Sequence, residues 1–158
     1  MRQAAQHDCT ATEEDQAMQA ETPLQPTAVV TAFLRHDQRI LLVQRSARVG
    51  SYQGRWSAIS GYLEEVTPLQ QARREISEET GLPESEVHLV AAGEAISIPA
   101  PELGRLWVVH PFLFDVDDPQ HVRLDWENLT CCWVAPHELH KFNTVPGLDQ
   151  ALQACLKR

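Results

Sequence analysis

The sequence predicts an α+β fold, a mixed β-sheet packed between helices. Three observations predict it: β-branched and apolar runs dominate the middle of the chain, one sharply bounded helical segment interrupts them, and two Pro-led helical segments follow the last run. With 158 residues, 43% of them hydrophobic, and no apolar run near the length of a membrane span, the chain suits one globular domain. No internal repeat or low-complexity block is visible.

Residues 1–26 are polar and end in "TPLQP", with Arg2 opposed by Asp8, Glu13, Glu14, Asp15 and Glu21. They read as a mobile N-terminal tail, in which a short helix over Thr12–Ala20, capped by Thr12, is one option. The single domain then covers residues 27–158. Its first element is a hairpin: the runs Ala28 to Leu34 and Arg39 to Gln44 flank the turn residues His36, Asp37 and Gln38. The Gly- and Ser-rich stretch that follows reads as a loop with one short strand at Trp56 to Ile59.

The helix comes next. Thr67 is the N-cap, Pro68 the first helical residue, Leu69, Ala72 and Ile76 the apolar stripe, and Gly81 the stop. "VHLVAAGEAISI" and "RLWVVHPFLFDV" read as strands separated by the loop "PAPELG", and "LTCCWVA" as another strand. "PHELHKF" and "PGLDQALQACLKR" read as helices opened by Pro136 and Pro146.

Charge and cysteine usage narrow the function classes. A net charge of −9 disfavours nucleic acid and anionic lipid as partners, since both call for a basic patch. A phosphate-bearing substrate would need local Arg or Lys, or a bound divalent cation. Cys9 in the polar tail, the adjacent Cys131 and Cys132, and the isolated Cys155 resemble neither a disulfide framework nor paired metal ligands, so reduced thiols are expected. The start of the chain has no apolar core for a secretory signal, and a cytoplasmic protein is the default expectation.

One stretch raises a question that local helix physics does not answer. "RREISEETGL", residues 73–82, places Glu75, Glu78 and Glu79 three and four residues apart near the negative end of the predicted helix. Their repulsion costs about a few tenths of a kcal/mol per pair. Either Arg73 and Arg74 ease a solvated face, or the carboxylates are gathered to hold a cation.

The longer stretch "GYLEEVTPLQQARREISEETGL", Gly61 to Leu82, resembles the Nudix box. That pattern runs Gly, five residues, Glu, seven residues, then Arg-Glu-aliphatic-any-Glu-Glu-any-Gly-aliphatic. Its second half matches at Arg74, Glu75, Ile76, Glu78, Glu79, Gly81 and Leu82. "LLVQRS" and "GRWSAISG" before and within it, and "WVAPHEL" after it, are also similar to the family, so the resemblance spans about Thr27 to Arg158. The first half departs: one residue is missing between Gly61 and Arg74, and the place of the first Glu falls on Val66 or Thr67, with Glu65 nearby.

The resemblance implies the Nudix fold and hydrolysis of phosphoric anhydrides. A divalent cation suits that chemistry, because it takes hard oxygen ligands from one or two carboxylates plus substrate phosphates and neutralises the diphosphate. On this reading Glu75, Glu78 and Glu79 bind Mg2+, with Mn2+ as a substitute, and Glu75 and Glu79 are the principal ligands. Arg74 orients a neighbouring carboxylate. Glu127, in "DWENLTCCW", resembles a glutamate that some family members supply from a loop there, and is a candidate general base.

Substrate contacts are expected from Arg45, Arg55 and Arg105 to phosphate and from Trp56 to a base, with Trp107, Trp126 and Trp133 as further stacking candidates. Pro99 lies a residue or so from the place at which a proline accompanies ADP-ribose hydrolysis in some members. "HELH", His137 to His140, lacks the spacing of a zinc-protease helix. The expected partner is a small nucleotide-type molecule, a nucleoside triphosphate or a nucleoside diphosphate linked to another group; a homodimer is compatible with the sequence. Two other readings are a nucleotide-binding module with little catalysis, supported by the shortened loop, and a prenyl-diphosphate isomerase, for which no matching Cys and Glu context is found.

Overall fold

A computed structural model describes residues 23–157. The candidate helix over Thr12–Ala20, Cys9 and most of the expected tail lie outside these residues. The two β-branched runs form the expected hairpin, β1 (Gln25–His36) and β2 (Arg39–Arg45). Its turn places Asp37 at φ 51° and Gln38 at φ 65°. Paired positive φ values match the twist of the flanking strands, and Asp tolerates that region better than most residues.

β1 and β2 pair only near the turn, at Arg35 with Ile40 and His36 with Arg39. Beyond it they take different partners. β3 (Trp56–Ser57) pairs with β2, and β4 (Ile59–Tyr62) pairs with β1. The run expected to be a single strand is therefore broken at Ala58, because its two halves serve two partners. β7 (Arg105–Val116) lies parallel to β1 from Gln25 opposite Arg105 to Arg35 opposite Asp115.

On the other edge of β7, β5 (Val87–Ala92) and β6 (Ile96–Ala100) follow one another in antiparallel pairing. The run "VHLVAAGEAISI" thus forms two strands, divided around Gly93, where a Cβ would stand 2.9 Å from the backbone of Ala154. β8 (Asn128–Val134) pairs with β2, completing a mixed eight-stranded sheet.

The helices cover its faces. α1 (Pro68–Thr80) starts at a capping box in which Thr67 Oγ1 accepts from the Gln70 amide at 3.2 Å and Gln70 Oε1 accepts from the Thr67 amide at 3.1 Å. Gly81, at φ 69°, ends it. α2 (Leu148–Leu156) begins two residues past Pro146, and "PHELHKF" forms a 3-10 segment, Pro136–Lys141, in place of the expected helix.

Strand alternation divides the core in two. Val30, Ala32 and Leu34 of β1 pack with Ala72 and Ile76 of α1, while Phe33 packs on the other face with Leu148, Ala151 and Leu152 of α2. The α+β class and the sheet between helices stand as read from the sequence. Among the described residues, no helix is long and apolar enough to cross a membrane.

Candidate active site

α1 carries two of the glutamates into the interior. Glu75 and Glu79 stand one turn apart on the face that packs toward the sheet, only 7% and 3% exposed. Glu78 points to solvent. All three are expected together on one face away from the core; the helix instead buries two and leaves Glu78 exposed, because position 78 lies about 60° from 75 and about 100° from 79 around the helix axis, on the solvent side of both.

A third carboxylate arrives from elsewhere in the chain. Glu127, in the loop before β8, brings an oxygen to Glu75 and Glu79 such that one oxygen from each lies within 4.8 Å of the others. Two amides hold the buried pair. Gln71, fully buried, donates from Nε2 to Glu75 Oε1 at 2.9 Å while its Oε1 accepts from the amides of Glu64 and Glu65, both at 2.8 Å. Asn128 Nδ2 donates to Glu79 Oε1 at 3.0 Å. Glu75 also depends on Gly61: a Cβ there would overlap its carboxylate.

The electrostatics are adverse without a counter-charge. Burial, opposed by hydrogen bonds from Glu79 and Gln71, pushes the Glu75 carboxyl up to about 6. Burial, and then the charge of Glu127, pushes Glu79 well above the ordinary carboxylate range. Glu127 is raised by burial and by Asp125. The second oxygen of Glu79 is buried with no hydrogen-bond partner. Such an orphan costs free energy, and an all-oxygen, acidic donor set is what a hard divalent cation requires. The residues fit a divalent metal ion.

Beside the carboxylates lies a cleft of about 400 Å³. Glu75, Glu78 and Glu127 line it, and so do Arg45, Arg48 and Trp107. Arg45 is half-buried and makes no ion pair among the described residues; its Nε donates to the Ser51 carbonyl at 2.9 Å. Burial lowers its pKa despite the charges of Glu79 and Glu127. A cation of that kind, at the wall of a cleft, suits an anionic ligand.

The NUDIX domain profile matches residues 23–155, nearly all of the described chain. The protein belongs to the Nudix family. It is a hydrolase of phosphoric anhydride bonds. Solved structures of similar fold include a Nudix hydrolase from Nitrosomonas europaea, with TM-score 0.65 and 21% identity over 82% of this chain and 88% of that one. A MutT protein from Methanosarcina mazei Go1 gives TM-score 0.65 and 21% identity over 84% of this chain and 93% of that one. A C. elegans Ap4A hydrolase gives 0.64 and 18% over 83% and 94%. Among curated proteins there is no significant match.

The remaining Nudix-box and substrate candidates are placed as follows. Arg74 is exposed and donates to Glu78 Oε1 at 2.9 Å and Glu65 Oε1 at 3.2 Å, so it orients those two carboxylates and not the buried pair. Glu65, next to the gap in the box, is therefore an Arg74 partner. Arg45 lines the cleft. Arg55, Trp56 and Arg105 are outside its lining: Arg55 lies over Tyr52, Trp56 packs edge-on against Phe142 at 5.4 Å, and Arg105 donates to Thr27 Oγ1 at 2.9 Å.

Trp107 and Trp126 line the cleft, whereas Trp133 packs against His36. Pro99 is exposed on β6, apart from the lining. His137 and His140 form only a local contact on the 3-10 segment. Gln71, Asn128 and Arg48 were not singled out from sequence, and Gly61 was read only as the first glycine of the Nudix box. Of the three, only Gln71 carried a signal, its i,i+4 spacing to Glu75.

Proposed function

We propose that this Nudix hydrolase is a Mg2+-dependent pyrophosphohydrolase, with Mn2+ as a working substitute, that cleaves a nucleoside diphosphate linked to a second group. The observation that carries the reading is the convergence of Glu75, Glu79 and Glu127 at the wall of a cleft, with one buried Glu79 oxygen left unpaired. Glu75 and Glu79 would hold the ion, and Glu127 completes the oxygen set. When bound, the ion supplies charge neutralisation for the diphosphate and a more acidic water.

The chain's own groups do the rest. Gln71 and Asn128 fix the two buried carboxylates, so that little reorganisation is needed when substrate arrives. Arg45 contributes a desolvated positive charge to the phosphate oxygens. Glu127 faces the cleft, which suits it to take the proton of the water that attacks phosphorus. Arg74 keeps Glu78 extended at the rim, the remaining carboxylate available to a second ion.

The test is Mg2+-dependent hydrolysis of a panel of nucleoside diphosphate derivatives, followed by Glu79→Gln. Loss of about a hundredfold or more in kcat with folding retained is expected, in the range seen when such groups are removed. Unchanged turnover in the variant would remove Glu79 from the metal site.

A further inference from the structure

A second cavity, of about 300 Å³, lies between α1 and residues 83–87 and shares no lining residue with the cleft. Arg73, Arg74 and Ser77 of α1 line it. Positions 73 and 77 are four apart and positions 74 and 77 three apart, so the three side chains leave the helix along one flank. Ile76, Leu82 and Val87, which belong to the core that α1 shares with the sheet, add an apolar wall.

Neither arginine is fully used by the fold. Arg73 makes no ion pair among the described residues, although the acid Glu84 lines the same cavity. Its guanidinium lies over the buried Phe114 ring, 5.4 Å from the centroid. That contact holds the charge in place without giving its N–H donors an acceptor. Arg74 donates through Nε to Glu78 and through Nη1 to Glu65, which leaves Nη2 without an acceptor among the described residues. Ser77 is exposed, and its hydroxyl can donate as well as accept.

A solvated helix face does not account for this set. In a protein of net charge −9, an arginine serving only to balance charge has many acids to pair with, yet Arg73 is held over an aromatic ring beside a concave, partly apolar space. Charge in such a place is screened less than on a convex surface. Guanidinium edges match the oxygens of a phosphate, which accepts from several donors at once. The apolar wall adds a place for carbon.

We propose that this cavity binds an organic phosphate monoester, its phosphate on Arg73, the free edge of Arg74 and the Ser77 hydroxyl, and its organic group against Ile76, Leu82 and Val87. Glu84 opposes the charge of the ligand and so limits its affinity. The site is separate from the carboxylate cluster and does not depend on the reading of Glu75, Glu79 and Glu127 as the reacting centre.

The test is a titration of the isotope-labelled full chain with phenyl phosphate in EDTA, followed by backbone amide shifts. Saturable shifts at Ser77, Leu82 and Glu84 are expected, with a lower Kd than for inorganic phosphate, which lacks the organic group, or benzoate, which lacks the phosphate. Arg73→Gln raises the Kd about tenfold, the scale of one lost charge-assisted hydrogen bond. Glu84→Gln lowers it, a change that damage to the fold would not produce.

Shifts confined to the residues of the cleft overturn the proposal, and so does a Kd equal to the parent's in both variants. Inorganic phosphate or benzoate binding as tightly as phenyl phosphate overturns the assignment to an organic phosphate. Should Arg73→Gln unfold for want of its contact with Phe114, Ser77→Ala and Glu84→Gln decide, since both residues are exposed: the first must raise the Kd and the second lower it. The readout is binding without metal or turnover, so a failure of the hydrolase reading is seen separately, in the turnover assay.

Discussion

A single missing side chain at Gly61 decides where Glu75 can sit. Its backbone is not in the left-handed region, so what matters is space: a Cβ would occupy the volume of the Glu75 carboxylate. Gly61→Ala is expected to displace Glu75, cost about 1–3 kcal/mol as an overpacked buried site, and abolish Mg2+-stimulated activity; thermal melting and a turnover assay check both. Asn128, on β8, holds Glu79 of α1 by one hydrogen bond. Asn128→Ala should weaken Mg2+ binding by about 10–100-fold, read as the Mg2+ concentration for half-maximal activity. The grouping of Glu75, Glu78 and Glu79 was legible from spacing within one helix, and the preference for Glu75 and Glu79 came from the resemblance. Asn128 was not legible, and Gly61 only as the first glycine of the Nudix box, because the contact each makes is with another element.

α1 shows how local signals position a distant chemistry. Thr67, Gln70, Pro68 and Gly81 fix where the helix starts and stops, and hence which residues turn inward. All of these cues act within a few residues, which is why the sequence displays them. Thr67→Ala should lower stability by about 1 kcal/mol, measured by denaturant unfolding, while the activity per folded molecule changes little because the cap is far from the carboxylates in the helix. Gln71 belongs to the same element but works between elements, joining the loop amides of Glu64 and Glu65 to Glu75. The strands were less legible. A run such as Trp56 to Ile59 does not reveal that its two ends pair with β2 and β1 separately, since strand partners are set by long-range register.

Across the whole molecule, the buried carboxylates make metal and pH jointly control stability. The carboxyl of Glu75 titrates near 6 in the folded chain, above its ordinary value of 4.5. Between these values the folded state holds more protons than the unfolded state, so in metal-free protein this group's contribution to stability falls as pH rises through that window and stays reduced above it. A divalent ion favours the ionised form and reverses the penalty. Mg2+ should therefore raise Tm more at about pH 7.5 than at about pH 5, and EDTA should cancel the gain. Equal Tm shifts at the two pH values would argue against an ion at this cluster. The split core, with α1 packed on one face of the sheet and α2 on the other, is what fixes the carboxylate helix against β1 and β4.

By itself the sequence determined the fold class, the limits of α1 and the grouping of Glu75, Glu78 and Glu79 near its end, because caps, prolines and i,i+4 spacing act locally and leave their mark in adjacent residues. Only the tertiary structure decided that Glu127 meets Glu75 and Glu79, that Glu78 does not, and that Arg45 reaches the cleft while Arg55, Trp56 and Arg105 lie outside its lining. Those outcomes depend on which way a loop or a strand turns its side chains, and that is set by partners dozens of residues away.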